Sequence, residues 1–229
     1  MNIRRITAIY LFTLLSLNLV YGSYAVANEA VANNEQTPQS RAAFESDMNE
    51  RKKEVAAFKL AVKIGTVTAM QDFLSLYPAS PFIELVKSTI ERLQYQDAEN
   101  KNTVEAFNYY LNEYPESSYV EKATYKRALL KHILSEYDAY LTRYPKGKWK
   151  KNIQYQRAML VNTVEEYNNI LKNVWPNNAN VIYYRDRAAL ELAKEIGTKD
   201  AFKDFIDMYP NSAWIDQAKY FYKNGYDLD

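Results

Sequence analysis

Apolar side chains recur along most of this chain at spacings of three and four residues, the pattern that places them on one face of a helix. The stretch from Thr103 to Leu130 shows this pattern twice, once on each side of Pro115. Because a proline disfavours helical geometry in the residue before it, we predict that a first helix ends at Tyr114. A second helix follows after a tight corner, and such an antiparallel pair needs neighbours to bury both of its faces.

Units of the same kind recur, each marked by an aromatic residue followed by proline. The corner prolines are Pro78, Pro115, Pro145, Pro176 and Pro210. Two places after each proline stands a residue that the N-cap of a helix accepts, which predicts that the second helix begins there. These residues are Ser80, Ser117, Gly147, Asn178 and Ser212. Two places further on stand the aromatic residues Phe82, Tyr119, Trp149 and Trp214, with Asn180 as the exception.

The complete pattern predicts one longer helix followed by alternating shorter helices. The predicted ranges are 41–64, 66–77, 80–97, 103–114, 117–131, 133–144, 148–161, 163–174, 179–195, 198–209 and 212–224. Sustained period-two alternation, the mark of half-buried strands, is missing. We therefore expect residues 41–229 to form an all-α domain, a right-handed α-solenoid of about five antiparallel helix pairs preceded by the longer helix.

Residues 1–27 have the pattern of a secretory signal peptide. Arg4 and Arg5 precede an apolar stretch at 6–20, and Ala25-Val26-Ala27 has the small residues of a cleavage site. An uncleaved membrane anchor is the alternative, although the apolar stretch is shorter than the roughly 20 residues of a spanning helix. Cleavage predicts a periplasmic protein, with secretion as an alternative. Residues 28–40 are polar and are predicted to form a disordered linker.

Composition narrows the range of partners. The chain contains no Cys, so its stability has to come from packing alone. Removal of residues 1–27 deletes two of its 29 basic residues and none of its 28 acidic ones, which leaves a net charge near −1. A balanced charge gives no general attraction to nucleic acid or to anionic lipid. We expect neither nucleic-acid binding nor a membrane span after cleavage.

The sequence offers little reactive chemistry. His132 is the only histidine, which excludes a His-based triad or a His-rich metal site, and we expect it to be a polar residue at a helix joint. Glu165 and Glu166 are adjacent, but Glu166 fits better as the capping-box partner of Thr163. Nucleophile elbows and phosphate-binding glycine loops are missing from the sequence. We therefore expect a protein that is not an enzyme and uses neither a cofactor nor a metal.

The corner motifs resemble those of the tetratricopeptide-like repeat proteins of the bacterial cell envelope, among them the outer-membrane assembly lipoprotein and Tol–Pal-associated families. Two corners carry the full phrase, Tyr114-Pro115-Glu116-Ser117-Ser118-Tyr119 with Ala123, and Tyr209-Pro210-Asn211-Ser212-Ala213-Trp214 with Ala218. The corner at Tyr77-Pro78-Ala79-Ser80-Pro81-Phe82 matches without the alanine. The resemblance implies a helical repeat fold. The opening motif of standard tetratricopeptide repeats is absent, so no binding residue is transferred from them.

The resemblance and the fold together suggest a scaffold that binds a protein or peptide partner. Most of the 21 tyrosines fit buried repeat positions. The first helix of each pair is expected to line a concave surface, and its outward positions are rich in amide side chains. These candidate partner-binding residues are Asn108, Tyr109, Asn112, Thr142, Arg143, Asn168, Asn169 and Lys203. Because amides also suit sugars, peptidoglycan or polysaccharide binding is the alternative.

Overall fold

A computed structural model describes residues 37–226, and within that range the chain is all-α, with eleven helices and no strand. The helices are α1 (Pro38–Ile64), α2 (Val67–Leu76), α3 (Ile83–Lys101), α4 (Val104–Glu113), α5 (Val120–Lys131), α6 (Leu134–Arg143), α7 (Lys150–Val161), α8 (Val164–Asn173), α9 (Ala179–Ile196), α10 (Lys199–Met208) and α11 (Ile215–Asn224). Each helix corresponds to one predicted from the sequence, with differences of a few residues at the ends.

The predicted signal peptide and residues 28–36 of the predicted linker lie outside the described residues. The end of that linker is helical, because α1 begins at Pro38 and not at residue 41. The Thr37 side chain caps α1 by accepting a hydrogen bond from the Ser40 amide, and a proline is well suited to the first position of a helix. Among residues 37–226, no helix has the length and apolar character that crossing a membrane requires.

The chain divides into two compact units, Met1–Val86 and Lys87–Asp229. In the first unit, the described core is built on phenylalanines. The Phe58 ring of α1 stacks on Phe82 at a centroid distance of 4.6 Å and meets the edge of Phe73 of α2 at 5.6 Å. Because these rings come from α1, α2 and the turn before α3, they hold three consecutive segments together.

In the second unit, each helix from α4 onwards packs against its neighbours in the chain. The contacts join α4 to α5, α6 to α7, α8 to α9 and α10 to α11, and they also join α5 to α6, α7 to α8 and α9 to α10. Successive clusters of buried side chains fill these contacts. One is formed by Tyr95, Phe107 and Tyr110, and the next by Tyr137, Tyr140 and Ile153. The prediction that most tyrosines are buried holds in part: Tyr95, Tyr110, Tyr137, Tyr140 and Tyr167 are buried, and most of the other described tyrosines are half-buried.

The joints, where a second helix gives way to the next first helix, share one backbone geometry. A residue in the left-handed region ends the second helix, and its amide donates to the carbonyl of a buried alanine four places earlier. The pairs are Gly65 with Ala61, Asn102 with Ala98, His132 with Ala128, Asn162 with Ala158 and Gly197 with Ala193. His132 therefore lies at a joint, as predicted, and its Nδ1 is 2.7 Å from the Tyr137 hydroxyl.

The corners differ from the prediction at one point. Four of the five residues two places after the prolines are not N-caps, because α3, α5, α7 and α11 begin three residues later than Ser80, Ser117, Gly147 and Ser212. The serine hydroxyls instead accept hydrogen bonds from the amides of Phe82, Tyr119 and Trp214 and so stabilise the turn before the helix. Asn178 is an N-cap, since its side chain accepts from the Val181 amide.

The aromatic residue of each corner packs on an aromatic residue of the preceding second helix. Tyr119 stacks on Tyr95 at 4.7 Å, and Trp149 stacks on Tyr125 at 5.3 Å. Trp214 contacts Tyr183 at 5.2 Å. At the corner where Asn180 breaks the pattern, Trp175 contacts Tyr155 at 5.5 Å and takes the missing place. These contacts tie each second helix to the next corner.

Candidate functional site

An arginine bridges two successive first helices at the joint between α5 and α6. Arg127 of α5 donates from Nη1 to the Asn108 side chain of α4 at 3.3 Å. Its Nη2 donates to Glu136 of α6 at 3.2 Å, and Lys131 reaches the other oxygen of that carboxylate at 2.6 Å. The joint is therefore filled by its own charged side chains, with the Glu136 side chain only 15% exposed.

The next joint repeats this arrangement. Arg157 of α7 donates to Asp138 of α6 at 2.7 Å and to Glu166 of α8 at 2.6 Å. Glu166 is thus not the full capping-box partner that the sequence suggested. Its amide donates to the Thr163 hydroxyl, but its carboxylate turns to Arg157. A full charge on the guanidinium offers the carboxylate a stronger interaction than a backbone amide does.

The charges at these joints shift the pKa of the groups involved. Burial raises the pKa of Glu136, but the hydrogen bond from Lys131 and the charges of Arg127 and Lys131 outweigh it, so the pKa falls below its ordinary value of 4.5. Hydrogen bonds to Asp138 and Glu166 raise the pKa of Arg157. Both joints are therefore stabilised in the ionised state.

The joint between α3 and α4 lacks this bridge. Counted from the joint alanine, Asp97 occupies the place of Arg127 and Arg157. Counted from the start of the first helix, Ala106 occupies the place of Glu136 and Glu166. Asp97 pairs instead with Lys101 on its own helix at 2.7 Å. Among the described residues, no ion pair joins α3 to α4.

A hollow of about 490 Å³ lies at this open joint. Its lining comes from the end of α3 and the start of α4, and consists of Gln94, Asp97, Ala98, Lys101, Thr103, Glu105, Ala106 and Tyr109. The Tyr109 side chain is 57% exposed, although its ring is one of the largest on the first helices. The hollow is thus lined by an aromatic ring, by the small side chain of Ala106 and by charges of both signs.

The joint between α9 and α10 also lacks the arginine–glutamate bridge, and apolar residues stand in the two places of that bridge. Leu192 stands in the register of Arg127, and Ala201 stands in that of Glu136. Leu192 and its neighbour one turn later, Ile196, are both exposed. Of the four joints in the second unit, two are therefore filled by an arginine and a glutamate. The other two have an alanine in the place of the glutamate and no arginine.

The structure brings only some of the predicted site residues together. Tyr109 lies at the open joint, and Asn168 and Asn169 lie in a second hollow of about 320 Å³ on α8, which Glu165, Glu166, Lys172 and Asn173 also line. Asn112, Thr142, Arg143 and Lys203 are exposed but line neither hollow. Asn108 is half-buried and accepts from Arg127, so it contributes to the filled joint.

The sequence reasoning missed Asp97 and Ala106, which define the open joint. Its repeats were aligned on the corner prolines, whereas the register of the joints is set by the buried alanine and the left-handed residue. Alignment on Ala98, Ala128 and Ala158 would have paired Asp97 with Arg127 and Arg157. The signal was present in the sequence, five residues before the left-handed residue of each joint.

Among residues 37–226, no group of three or more His, Cys, Asp or Glu side chains is placed to hold a metal ion. Compared with protein-family models and with curated proteins, the chain matches none.

Proposed function

We propose that this chain is an exported, non-enzymatic scaffold that binds a protein or peptide partner in the cell envelope. The observation that carries the proposal is the hollow at the joint of α3 and α4, where exposed Tyr109 borders a space that the other charged joints fill themselves. Aromatic residues beside a pocket are the usual anchors of protein interfaces. The charges of Asp97 and Lys101 at the rim would fix the orientation of a bound segment.

The proposal includes a solenoid arrangement for the second unit, with the helices stacked as successive antiparallel pairs of the tetratricopeptide-like kind. Two observations support it: each helix from α4 packs on its neighbours in the chain, and the joints share one register and one backbone geometry. In such a stack, side chains of equal register form a row. The open joint would then lie in line with the filled joints on one surface.

The proposed absence of catalysis is supported by what the reactive groups do. His132 lies within hydrogen-bond distance of the Tyr137 hydroxyl, and Glu136 and Glu166 pair with arginines. Each of these groups already has a structural partner. The exposed groups around Tyr109 suit hydrogen bonding and aromatic contact with a bound chain.

The decisive experiment closes the open joint with the residues of its neighbours. The double variant Asp97→Arg/Ala106→Glu places at α3 and α4 the pair that fills the next two joints, so we expect the fold to keep its melting temperature. Capture of a partner from envelope extract by the immobilised protein should be lost. Unchanged capture by this variant would contradict the proposal.

A matched control places the same pair elsewhere. Leu192→Arg/Ala201→Glu introduces the same side chains at the joint of α9 and α10, far along the chain from Tyr109. It should capture the same partner as the unmodified protein does. Equal loss in both variants would show that the added charges act generally, and would leave the α3–α4 hollow without a specific role.

Glycan binding is a second candidate, favoured by the hollow on α8. Asn168, Asn169 and Asn173 line it, and amide groups donate and accept hydrogen bonds as sugar hydroxyls require. Sedimentation with purified cell-wall sacculi tests this candidate. Retention on sacculi without any captured protein would replace the partner-binding proposal, and Asn168→Ala/Asn173→Ala should then release the protein.

A further inference from the structure

The corner between α6 and α7 is the most basic segment of the described chain. Residues 143–151 contain five cations and no acid: Arg143, Lys146, Lys148, Lys150 and Lys151. The corresponding segment at the preceding corner, 113–121, contains Glu113, Glu116 and Glu121 and no cation. The whole chain has a net charge of only +1, so this corner concentrates charge that is elsewhere balanced.

None of the five cations of this basic corner forms an ion pair within the described chain. The ion pairs of the second unit involve Lys101, Lys122, Arg127, Lys131, Arg157, Arg185 and Lys194, and none of the five. Four of them are exposed, and Lys150 is half-buried. Lys148 and Arg143 lie over the adjacent rings of Trp149 and Tyr144. Their charge is therefore available to a ligand.

The arrangement is electrostatically unfavourable for the isolated protein. Lys150 and Lys151 occupy the first turn of α7, where the positive end of the helix dipole disfavours cations. The first turn of α7 contains no acid, and its N-cap residue Trp149 makes no capping hydrogen bond through its side chain. A ligand with negative charge would relieve the repulsion among the lysines and also meet the positive end of the helix.

The nearest carboxylate is already engaged. Glu121 of α5 approaches the corner, where its Oε1 accepts from the Lys148 amide at 2.7 Å and from the Tyr140 hydroxyl at 2.8 Å. It is thus committed to the backbone and to a buried tyrosine. Its position also shows that the first turn of α5 adjoins the basic corner.

We infer that the basic corner binds an acidic segment of the partner protein. The inference rests on the proposed function, because it assigns a second contact to the same partner. A short run of carboxylates can meet residues 143–151 while avoiding the first turn of α5. A flat anionic membrane would also face the neighbouring Glu121, so the charge pattern favours a narrow ligand over a bilayer.

The corner and the open joint lie at different ends of the first helices. α6 runs from the joint at Ile133 to the corner at Tyr144, and a ten-residue helix is about 15 Å long. Variants at the two places can therefore be made independently. A partner would contact Tyr109 at the joint level and the lysines at the corner level.

The test uses the full chain and a fluorescent peptide of consecutive glutamates, with a glutamine peptide of equal length as the neutral probe. We expect the glutamate peptide alone to bind, with an affinity that falls as salt is added. Lys146→Glu/Lys148→Glu/Lys151→Glu should weaken binding by about tenfold or more. Lys146→Gln/Lys148→Gln/Lys151→Gln should give a smaller loss of affinity. This neutral variant replaces the charge-reversed one in the test if the latter does not fold.

The control variant makes the same change of charge at another surface. Lys52, Lys59 and Lys63 of α1 are exposed, and Lys52→Glu/Lys59→Glu/Lys63→Glu should keep peptide affinity. Equal loss in the two reversed variants would overturn the inference in favour of a general effect of net charge. Sedimentation with phosphatidylglycerol vesicles, combined with no peptide binding, would overturn it in favour of a membrane contact.

The outcome is separable from that of the proposed function. If the glutamate peptide fails to bind while Asp97→Arg/Ala106→Glu still abolishes partner capture, the corner inference fails and the proposed function stands. If the closed-joint variant captures its partner normally, the proposed function fails whatever the corner binds. Peptide binding that is lost only in the corner variants supports the inference.

Discussion

Glu121 and Tyr140, on α5 and α6, are joined by a hydrogen bond of 2.8 Å from the tyrosine hydroxyl to the carboxylate. In the preceding repeat, the hydroxyl of the equivalent Tyr110 lies 2.7 Å from that of Ser117. Gly147 replaces this serine in the repeat of Tyr140, and a Cβ there would lie 2.5 Å from the Glu121 carboxylate. The glycine therefore makes room for a carboxylate that takes over the role of the serine.

We predict that Glu121→Ala lowers the free energy of unfolding by about 1–3 kcal/mol, because a buried tyrosine hydroxyl and the Lys148 amide lose their acceptor. Urea unfolding followed by circular dichroism measures it. Glu116→Ala, at an exposed position of the same corner, is the control and should stay within about 0.5 kcal/mol of the parent. A loss equal to the control would show that water replaces the carboxylate.

We predict that Gly147→Ala is destabilising as well, because the new methyl group would also lie 2.9 Å from the Tyr140 hydroxyl. The combination Gly147→Ala/Glu121→Ala should cost less than the sum of the two single changes, since removal of the carboxylate relieves one close contact. Strict additivity in a double-mutant cycle would contradict this coupling.

We predict that Tyr125→Ala lowers the free energy of unfolding by about 2–3 kcal/mol, since it removes the stacking on Trp149 and a partly buried ring. Tyr220 occupies the same register in α11, but its side chain is 62% exposed. Tyr220→Ala should change stability by no more than about 0.5 kcal/mol. Thermal melts of both variants test this prediction. Equal losses of stability would contradict a stabilising role for the stacking of Tyr125 on Trp149.

The lowered pKa of Glu136 predicts a dependence of stability on pH. A carboxyl whose pKa is depressed by folding stabilises the protein above the unfolded value of about 4.5 and loses that contribution as the pH falls through the folded value. Glu136→Gln should therefore be less stable at neutral pH, by about 0.5–1 kcal/mol, and should lose less stability on acidification. Urea unfolding at neutral pH and at a pH below the folded pKa of Glu136 tests this, with exposed Glu113→Gln as the control. An unchanged acid dependence would contradict it.

We predict that Tyr109→Ala impairs partner capture while the melting temperature stays close to that of the parent, because the ring is largely exposed. Its neighbour Phe107 is fully buried, and Phe107→Ala should cost about 3–5 kcal/mol. The two variants separate binding from stability within one helix. A large drop in the melting temperature of Tyr109→Ala would remove the ring from the binding surface.

The number and order of the helices followed from the spacing of apolar residues and from the prolines, because both signals are local. Of the helix starts after the corners, that of α9 at Ala179 was predicted correctly, but those of α3, α5, α7 and α11 were not. A serine can accept from the amide two places ahead without capping a helix, as Ser117 does for Tyr119. The partners of Arg127 and Arg157 could not be predicted from the sequence either. They lie on the helices before and after, so they depend on packing that the spacing of one helix does not reveal.

The site was also predicted only in part, because some of its features are local and others depend on packing between helices. Exposure of Tyr109 could be read from its place opposite the apolar stripe of α4. The hollow beside it could not be predicted in this way. It arises because Asp97 and Ala106 stand where the neighbouring joints have arginine and glutamate, and this difference matters only when α3 and α4 pack against each other. Asn108 looked equally outward in the sequence, yet Arg127 engages it.

The common register of the joints has a consequence for the length of the protein. Tyr95, Tyr125 and Tyr155 stand 30 residues apart and each precedes its joint alanine by three places. Excision of residues 125–154 would rejoin equivalent positions, so the shortened chain should fold with one helix pair fewer. The copy number of the repeats can then change with the joint register kept, although Glu121 would lose its partners Tyr140 and Lys148.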